Sequence, residues 1–272
     1  MPQFPLSFPG VRLALLSVFA LASANAGATQ LIGNGGFEAD SAFTYTPQAW
    51  TVFESGGSHA VAADNALLGK SHASHDATTG PAVGGSFFGS IDAYTAGTFA
   101  LSQSFSTGPV SAATLSFKMF VNDQSDDGVP YLSSNLDWNV PQPVYYARVD
   151  LLRGSAAPLA TGTDVVKSLY IGGATGRRFD PLFNPYVSYT FDLSGALADG
   201  GDYALRFAVA SNQPAALQLG VDNVSLVVTA VPEPSVAVLM LAGLGLFAAG
   251  HRRRRGALRN PCATTRLGGQ PG

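Results

Sequence analysis

The sequence predicts an all-β protein, an antiparallel sandwich of two sheets, with an apolar segment at each end of the chain. Three observations carry this. Apolar residues recur at every second position in run after run, the period of a strand that buries one face. Turn residues separate the runs, at Gly108-Pro109, Gly154-Ser155 and Asp199-Gly200-Gly201, as strand–turn–strand connections require. Between the terminal segments no stretch carries a long 3.6-residue period, and no internal repeat is visible.

Residues 1–26 read as a secretory signal peptide. Arg12 supplies the positive charge, residues 13–22 the apolar run, and Ala24-Asn25-Ala26 the small residues of a cleavage site, so the mature chain is expected to begin near Gly27. The run is too short to span about 30 Å of hydrocarbon as an anchor.

Residues 27–230 form the expected sandwich domain. Short strands are predicted at residues 50–53, 87–91 and 99–105. Longer ones follow: Leu115, Phe117, Met119 and Val121 alternate with mostly polar neighbours, as do Tyr145, Ala147, Val149 and Leu151 with theirs. Val187, Tyr189, Phe191 and Leu193 repeat the pattern, and so do Tyr203, Leu205, Phe207 and Val209. Each strand is expected to bury one face and wet the other. The last strand slips phase: Leu217, Leu219 and Val221 share one parity, Val224, Leu226 and Val228 the other. One extra residue near Asp222-Asn223, a β-bulge, restores the register and re-aims Asp222.

This body is large enough to bury about 70% of its unfolded surface in one core. It holds eight basic and seventeen acidic residues, a net charge of −9. Such a surface repels nucleic acid and anionic lipid, so a nucleic-acid partner is not expected. The single cysteine, Cys262, lies near the C-terminus, which excludes an internal disulfide, thiol catalysis and thiolate-bound zinc in the body.

Residues 231–255 form a separate segment. Pro232-Glu233-Pro234 is followed by an uncharged run, residues 235–250, expected to be one transmembrane helix, and by Arg252, Arg253, Arg254 and Arg255. At ~1.5 Å per residue the run is at the short end of a membrane span. The arginines put the body outside and the tail inside. Residues 256–272, rich in Gly, Pro, Thr and Arg, are expected to be disordered. This ordered trio of motif, short helix and arginine cluster resembles the PEP-CTERM sorting signal. The resemblance implies an exosortase-type membrane protease as partner and a Gram-negative, exopolysaccharide-producing host. It also implies an inner-membrane-anchored precursor released to the cell surface or extracellular matrix. Members of that family usually end just after the arginines; this chain continues for 17 residues.

Two motifs bracket the body. Asn34-Gly35-Gly36-Phe37-Glu38 opens it and Gly220-Val221-Asp222-Asn223-Val224-Ser225-Leu226 closes it. The pair resembles the first and last segments of galactose-binding-like jelly rolls, a fold shared by many carbohydrate-binding modules. The resemblance implies that Glu38 and Asp222 ligate a structural calcium ion, a hard cation suited to carboxylate and carbonyl oxygens. The bland alternative is that both make only turn or surface hydrogen bonds.

The long connection at residues 122–143 carries Asp123, Asp126, Asp127, Tyr131, Asp137 and Trp138. Flat rings stack on a sugar's apolar face and carboxylates accept its hydroxyls, so Asp123, Asp126, Asp127, Tyr131 and Trp138 are candidate carbohydrate ligands; a solvated acidic loop is the competing reading. Asp123, Ser125, Asp127 and Gly128 match half an EF-hand loop, but its twelfth position is Ser134, which rules that motif out. His72, His75 and Asp76 sit in a Ser/Thr/Gly-rich stretch with no helix to pair them. No nucleophile elbow, phosphate loop or dinucleotide fingerprint occurs in the sequence. The expectation is therefore an exported, surface-sorted, non-catalytic protein that binds carbohydrate or organises extracellular matrix. A hydrolase of an extracellular polymer and a purely structural envelope protein are the alternatives.

Overall fold

The computed structural model describes residues 27–40, 45–55, 61–64, 79–82, 84–93, 95–123, 135–174, 184–213, 217–232, 240 and 243–247. The expected signal peptide, Glu233, Pro234, the four arginines and the tail lie outside the described residues, as do His72, His75, Asp76, Asp126, Asp127 and Tyr131. The chain divides into two compact units, Ala26–Val231 and a second comprising Met1–Asn25 with Pro232–Gly272. Of the second, Met240 and residues 243–247 are described as helical, and Met240, Leu244, Leu246 and Phe247 are exposed. Among the described residues no helix is long and apolar enough to cross a membrane.

The first unit is built from strands β1 (Ala28–Gln30), β2 (Thr51–Glu54), β3 (Val61–Asp64), β4 (Phe88–Ala93), β5 (Gly97–Thr107), β6 (Val110–Asp123), β7 (Tyr145–Arg153), β8 (Val165–Gly172), β9 (Val187–Asp192), β10 (Gly201–Ser211) and β11 (Leu217–Ala230). One sheet runs β3-β4-β11-β6-β9, with β1 also paired to β11. The other runs β2-β5-β10-β7-β8. Every pairing is antiparallel. The alternating apolar residues meet between the sheets: Leu115, Phe117 and Met119 of β6 and Leu219 and Val221 of β11 join Val149, Leu151, Leu205 and Phe207 from the facing sheet. Burial of this apolar set is the main stabilising term.

Eight of the eleven strands fall where the alternation predicts them. The bulge is there too: the β11–β6 register shifts between Asp222 and Ser225, and Asn223 takes a positive φ of 53°. The remaining strands, β1, β3 and β8, carry no clear alternation. β1 and β3 are three and four residues long, too short to show a period. β8 pairs with β7 through two register shifts. Each shift flips the side-chain parity, so its apolar residues never alternate cleanly.

The expectation of one wet face per strand fails for the central strands. β7 is buried on both faces from Tyr145 to Leu152. The outward residues Val144 and Tyr146 form a second apolar cluster with Leu136, Ala208 and Ala210. Part of the long connection lies flat on this sheet: Tyr146 Oη accepts from Leu136 N at 3.0 Å, and Thr98 Oγ1 donates to Leu136 O at 2.8 Å. The outer face of the β11 sheet is covered as well. Phe120 packs against Phe88 and Tyr186, and a Cβ at Gly220 would collide with the Phe120 ring, so this ring crosses β11 only because the residue beneath it is glycine.

Candidate functional site

The opening motif and the closing strand meet. The Gly35 carbonyl accepts from Val224 N at 2.8 Å, and a Cβ at Gly35 would collide with Val224 O. The turn that follows is tight, with Asn34 and Phe37 at positive φ of 47° and 59°. Asn34 holds it through its side chain, donating to Asp40 Oδ2 and Gln48 O and accepting from Ala39 N, each at 3.0 Å. Phe37 is driven fully into the core, where it stacks on Trp50 at 5.3 Å. The next residue, Glu38, is thereby turned toward the bulge of β11.

Glu38 and Asp222 come together at this bulge, as the two motifs imply. Glu38 Oε1 accepts from Ser86 N at 2.7 Å and Phe87 N at 2.8 Å. Asp222 Oδ2 accepts from Ala82 N at 2.8 Å, and Oδ1 from Asn223 N at 2.6 Å. Both carboxylates border the space above Gly85: a Cβ there would stand 2.7 Å from Glu38 Oε1 and 3.6 Å from Asp222 Oδ2. Gly85 keeps that hollow open.

Burial, with a smaller contribution from the Glu38 charge, pushes the Asp222 carboxyl up to about 6 against the pull of two backbone N–H groups and Lys118. Burial and the Asp222 charge push the Tyr186 phenol up; its hydroxyl donates to Gly80 O at 2.6 Å. The site is thus an acidic pair with a net demand for positive charge. Among the described residues no group of three or more His, Cys, Asp or Glu gathers to hold a metal.

Of the loop candidates, Asp123 and Trp138 lie among the described residues. Asp123 ends β6 and is buried, opposite Leu217 of β11. Trp138 lies half-buried in the segment over the β10–β7 sheet, next to Asp137, which accepts from Asn139 N at 2.9 Å. Pro232 is exposed.

One charged group was missed by sequence reasoning. Asp150 Oδ2 accepts from Arg148 Nε at 2.6 Å and Arg206 Nη2 at 2.5 Å, and Arg206 Nη1 donates to the carbonyls of Pro158 and Ala160, both at 2.8 Å. Arg206 is wholly buried; burial draws its pKa down while Asp150 holds it up. The available signal was that Arg148, Asp150 and Arg206 occupy the outward parity of strands whose other face is apolar.

Residues 230–255 match the PEP-CTERM protein-sorting motif, as the Pro-Glu-Pro and arginine pattern indicated. None of the curated proteins matches the chain. Solved structures of similar fold include TmCBM61 in complex with β-1,4-galactotriose, at 13% identity and TM-score 0.42, covering 73% of this chain and 97% of that one. The K1 cleaved adhesin domain of Lys-gingipain from Porphyromonas gingivalis W83 matches at 9% identity and TM-score 0.43, covering 76% and 99%. The Stig cyclase Fisc from Fischerella sp. TAU matches at 15% identity and TM-score 0.44, covering 75% and 100%.

Proposed function

We propose that the chain is an exported, surface-sorted, non-catalytic protein whose β-sandwich body binds carbohydrate or organises extracellular polysaccharide. The observation that carries this reading is the sorting motif at residues 230–255 directly after the last strand of a compact sandwich unit. The motif supports export and sorting to the cell envelope, where a body of this kind would meet extracellular polysaccharide. A non-catalytic role fits the carboxylates at the motif site: Glu38 Oε1 and both Asp222 oxygens accept from backbone N–H groups. Exosortase-type cleavage, with the 235–250 run as temporary membrane anchor, completes the reading.

A structural calcium ion fits the residues present. Two carboxylates border one hollow, and one of them is held protonated to unusually high pH by burial and by the other's charge. A divalent cation removes both penalties. Glu38 and Asp222 would hold it, and it would clamp the opening loop to the last strand.

Two experiments test the proposal. Full-length chain is passed over immobilised neutral polysaccharides (galactan, glucan, mannan and xylan); retention on at least one is expected, and retention on none rejects the carbohydrate reading. Replacing Pro232, Glu233 and Pro234 with alanine leaves the apolar run and arginines in place. The variant is expected to enter the membrane and stay unprocessed on immunoblots, and processing at the parent's rate would reduce the segment to a plain anchor.

A further inference from the structure

The edge strands β8 and β9 of the two sheets lie together, and the seam between them is lined by aromatic rings. Tyr170 of β8 meets Tyr189 of β9 edge-on, with centroids 5.8 Å apart at 76°. Tyr189 and Phe191 lie side by side along β9, 6.4 Å apart and parallel to within 7°. Both stack on Phe117, at 5.2 Å and 22° and at 5.9 Å and 28°. Phe117 is buried and braced edge-on by Phe207 at 5.1 Å. A column of rings therefore runs from the middle of the core to the seam, and its last members, Tyr170, Tyr189 and Phe191, remain half-buried.

The seam also carries fixed polar groups. Lys167 of β8 donates from Nζ to the Asp192 carbonyl of β9 at 2.9 Å and is exposed. Tyr170 Oη donates to Gly173 O at 2.8 Å, which fixes the plane of its ring. Burial, then the Tyr189 charge, pushes Tyr170 up to about 12, and burial pushes Tyr189 up, so both hydroxyls stay protonated across the physiological range. Two parallel rings backed by a rigid third, with a perpendicular ring as a wall and ammonium and phenol groups at the rim, match what a pyranose needs. Its apolar face takes a flat ring, and its hydroxyls take donors and acceptors around it.

We propose that the β8–β9 seam, with Tyr189 and Phe191 as platform and Tyr170 and Lys167 at its rim, is a binding site for neutral saccharide units. The net charge of −9 on the body favours a neutral glycan over an acidic one. This inference rests on the carbohydrate reading and assigns its location to the seam rather than to the acidic loop around Trp138.

The test uses full-length chain and whichever of galactan, glucan, mannan or xylan retards it in affinity electrophoresis. Tyr189→Ala and Phe191→Ala are expected to weaken binding by about 30-fold, the size of an aromatic hot-spot loss. Tyr189→Phe, which keeps the platform, retains most of the affinity. Hydroxyl-radical footprinting of the unmodified chain guards against variants that fold poorly: saturating polysaccharide should protect Tyr170, Tyr189 and Phe191. If the parent binds but the protected residue is Trp138, and the seam variants bind as the parent does, the seam assignment is overturned and the carbohydrate reading stands. If the parent binds none of the four polymers, both fail.

Discussion

Asp150 and Asp222 are both sealed in the fold, at 0% and 1% exposure, yet they sit in opposite electrostatic company. Asp150 lies between two arginines, one on its own strand and one on the next, and accepts from both. Asp222 faces a second carboxylate, and the one cation acting on it, Lys118, has the smallest of the effects on its pKa. The first centre supplies its counter-charge from its own sheet; the second has only the weak pull of Lys118 set against a second carboxylate. The comparison separates a carboxylate paired within its own sheet from one whose contribution to stability depends on pH and, on the calcium reading proposed above, on dissolved cations.

Removing the Asp150 charge gives the largest expected effect. Asp150→Asn removes the carboxylate that accepts from both Arg148 and the wholly buried Arg206, and breaking a buried pair in this way costs about 3–5 kcal/mol. Denaturant melts at pH 7 should show that loss with or without calcium. A variant within about 1 kcal/mol of the parent, the size of an exposed pair, would mean that the cluster is not the electrostatic keystone of its sheet.

Next comes the pH response of chelator-treated protein. The folded-state pKa of Asp222 is raised, to about 6 from 3.8. Its contribution is therefore full below about pH 4 and is lost as pH rises through about 6. At roughly 1.4 kcal/mol per unit the loss amounts to about 3 kcal/mol. Asp222→Asn should flatten the profile in this window, and a parent profile already flat across it would refute the raised pKa of Asp222.

Calcium should reverse that loss by a slightly smaller amount. An ion that binds only the folded state adds ~2.7 kcal/mol at about 100 times its dissociation constant. Glu38→Gln and Asp222→Asn should each remove most of the midpoint shift between calcium and chelator. Equal shifts in parent and both variants would place the ion elsewhere.

The sequence exposed this molecule unevenly. The long strands β6, β9, β10 and β11 were legible because one face of each is strictly apolar, and a single phase slip located the bulge at Asp222. β8 was not legible because its register shifts scramble the parity that such reasoning depends on. Glu38 and Asp222 were found as a pair only through motif resemblance; nothing in the long stretch of chain between them says that they touch. The Arg148–Asp150–Arg206 cluster was overlooked because outward-facing charges on a strand ordinarily mean solvent. Whether a face is wet depends on which loop later lies down on it, and hydrophobic period does not encode that.

β11 is the last strand of the body, and it stands near the centre of its sheet, pairing with β1, β4 and β6. One of its partners, β1, lies at the very start of the body, with Ala28 opposite Thr229, so this sheet is closed by contacts of very long sequence separation. Loops of that length must be drawn together before the pairing rewards them, which makes folding slow. Until residues 217–230 arrive, β4 and β6 have no neighbour between them, and the facing sheet has little to pack against. Under the export proposed above, that ordering would keep the nascent body unfolded until its last strand arrives, and the stretch of chain that completes the core leads directly into the sorting motif at residues 230–255.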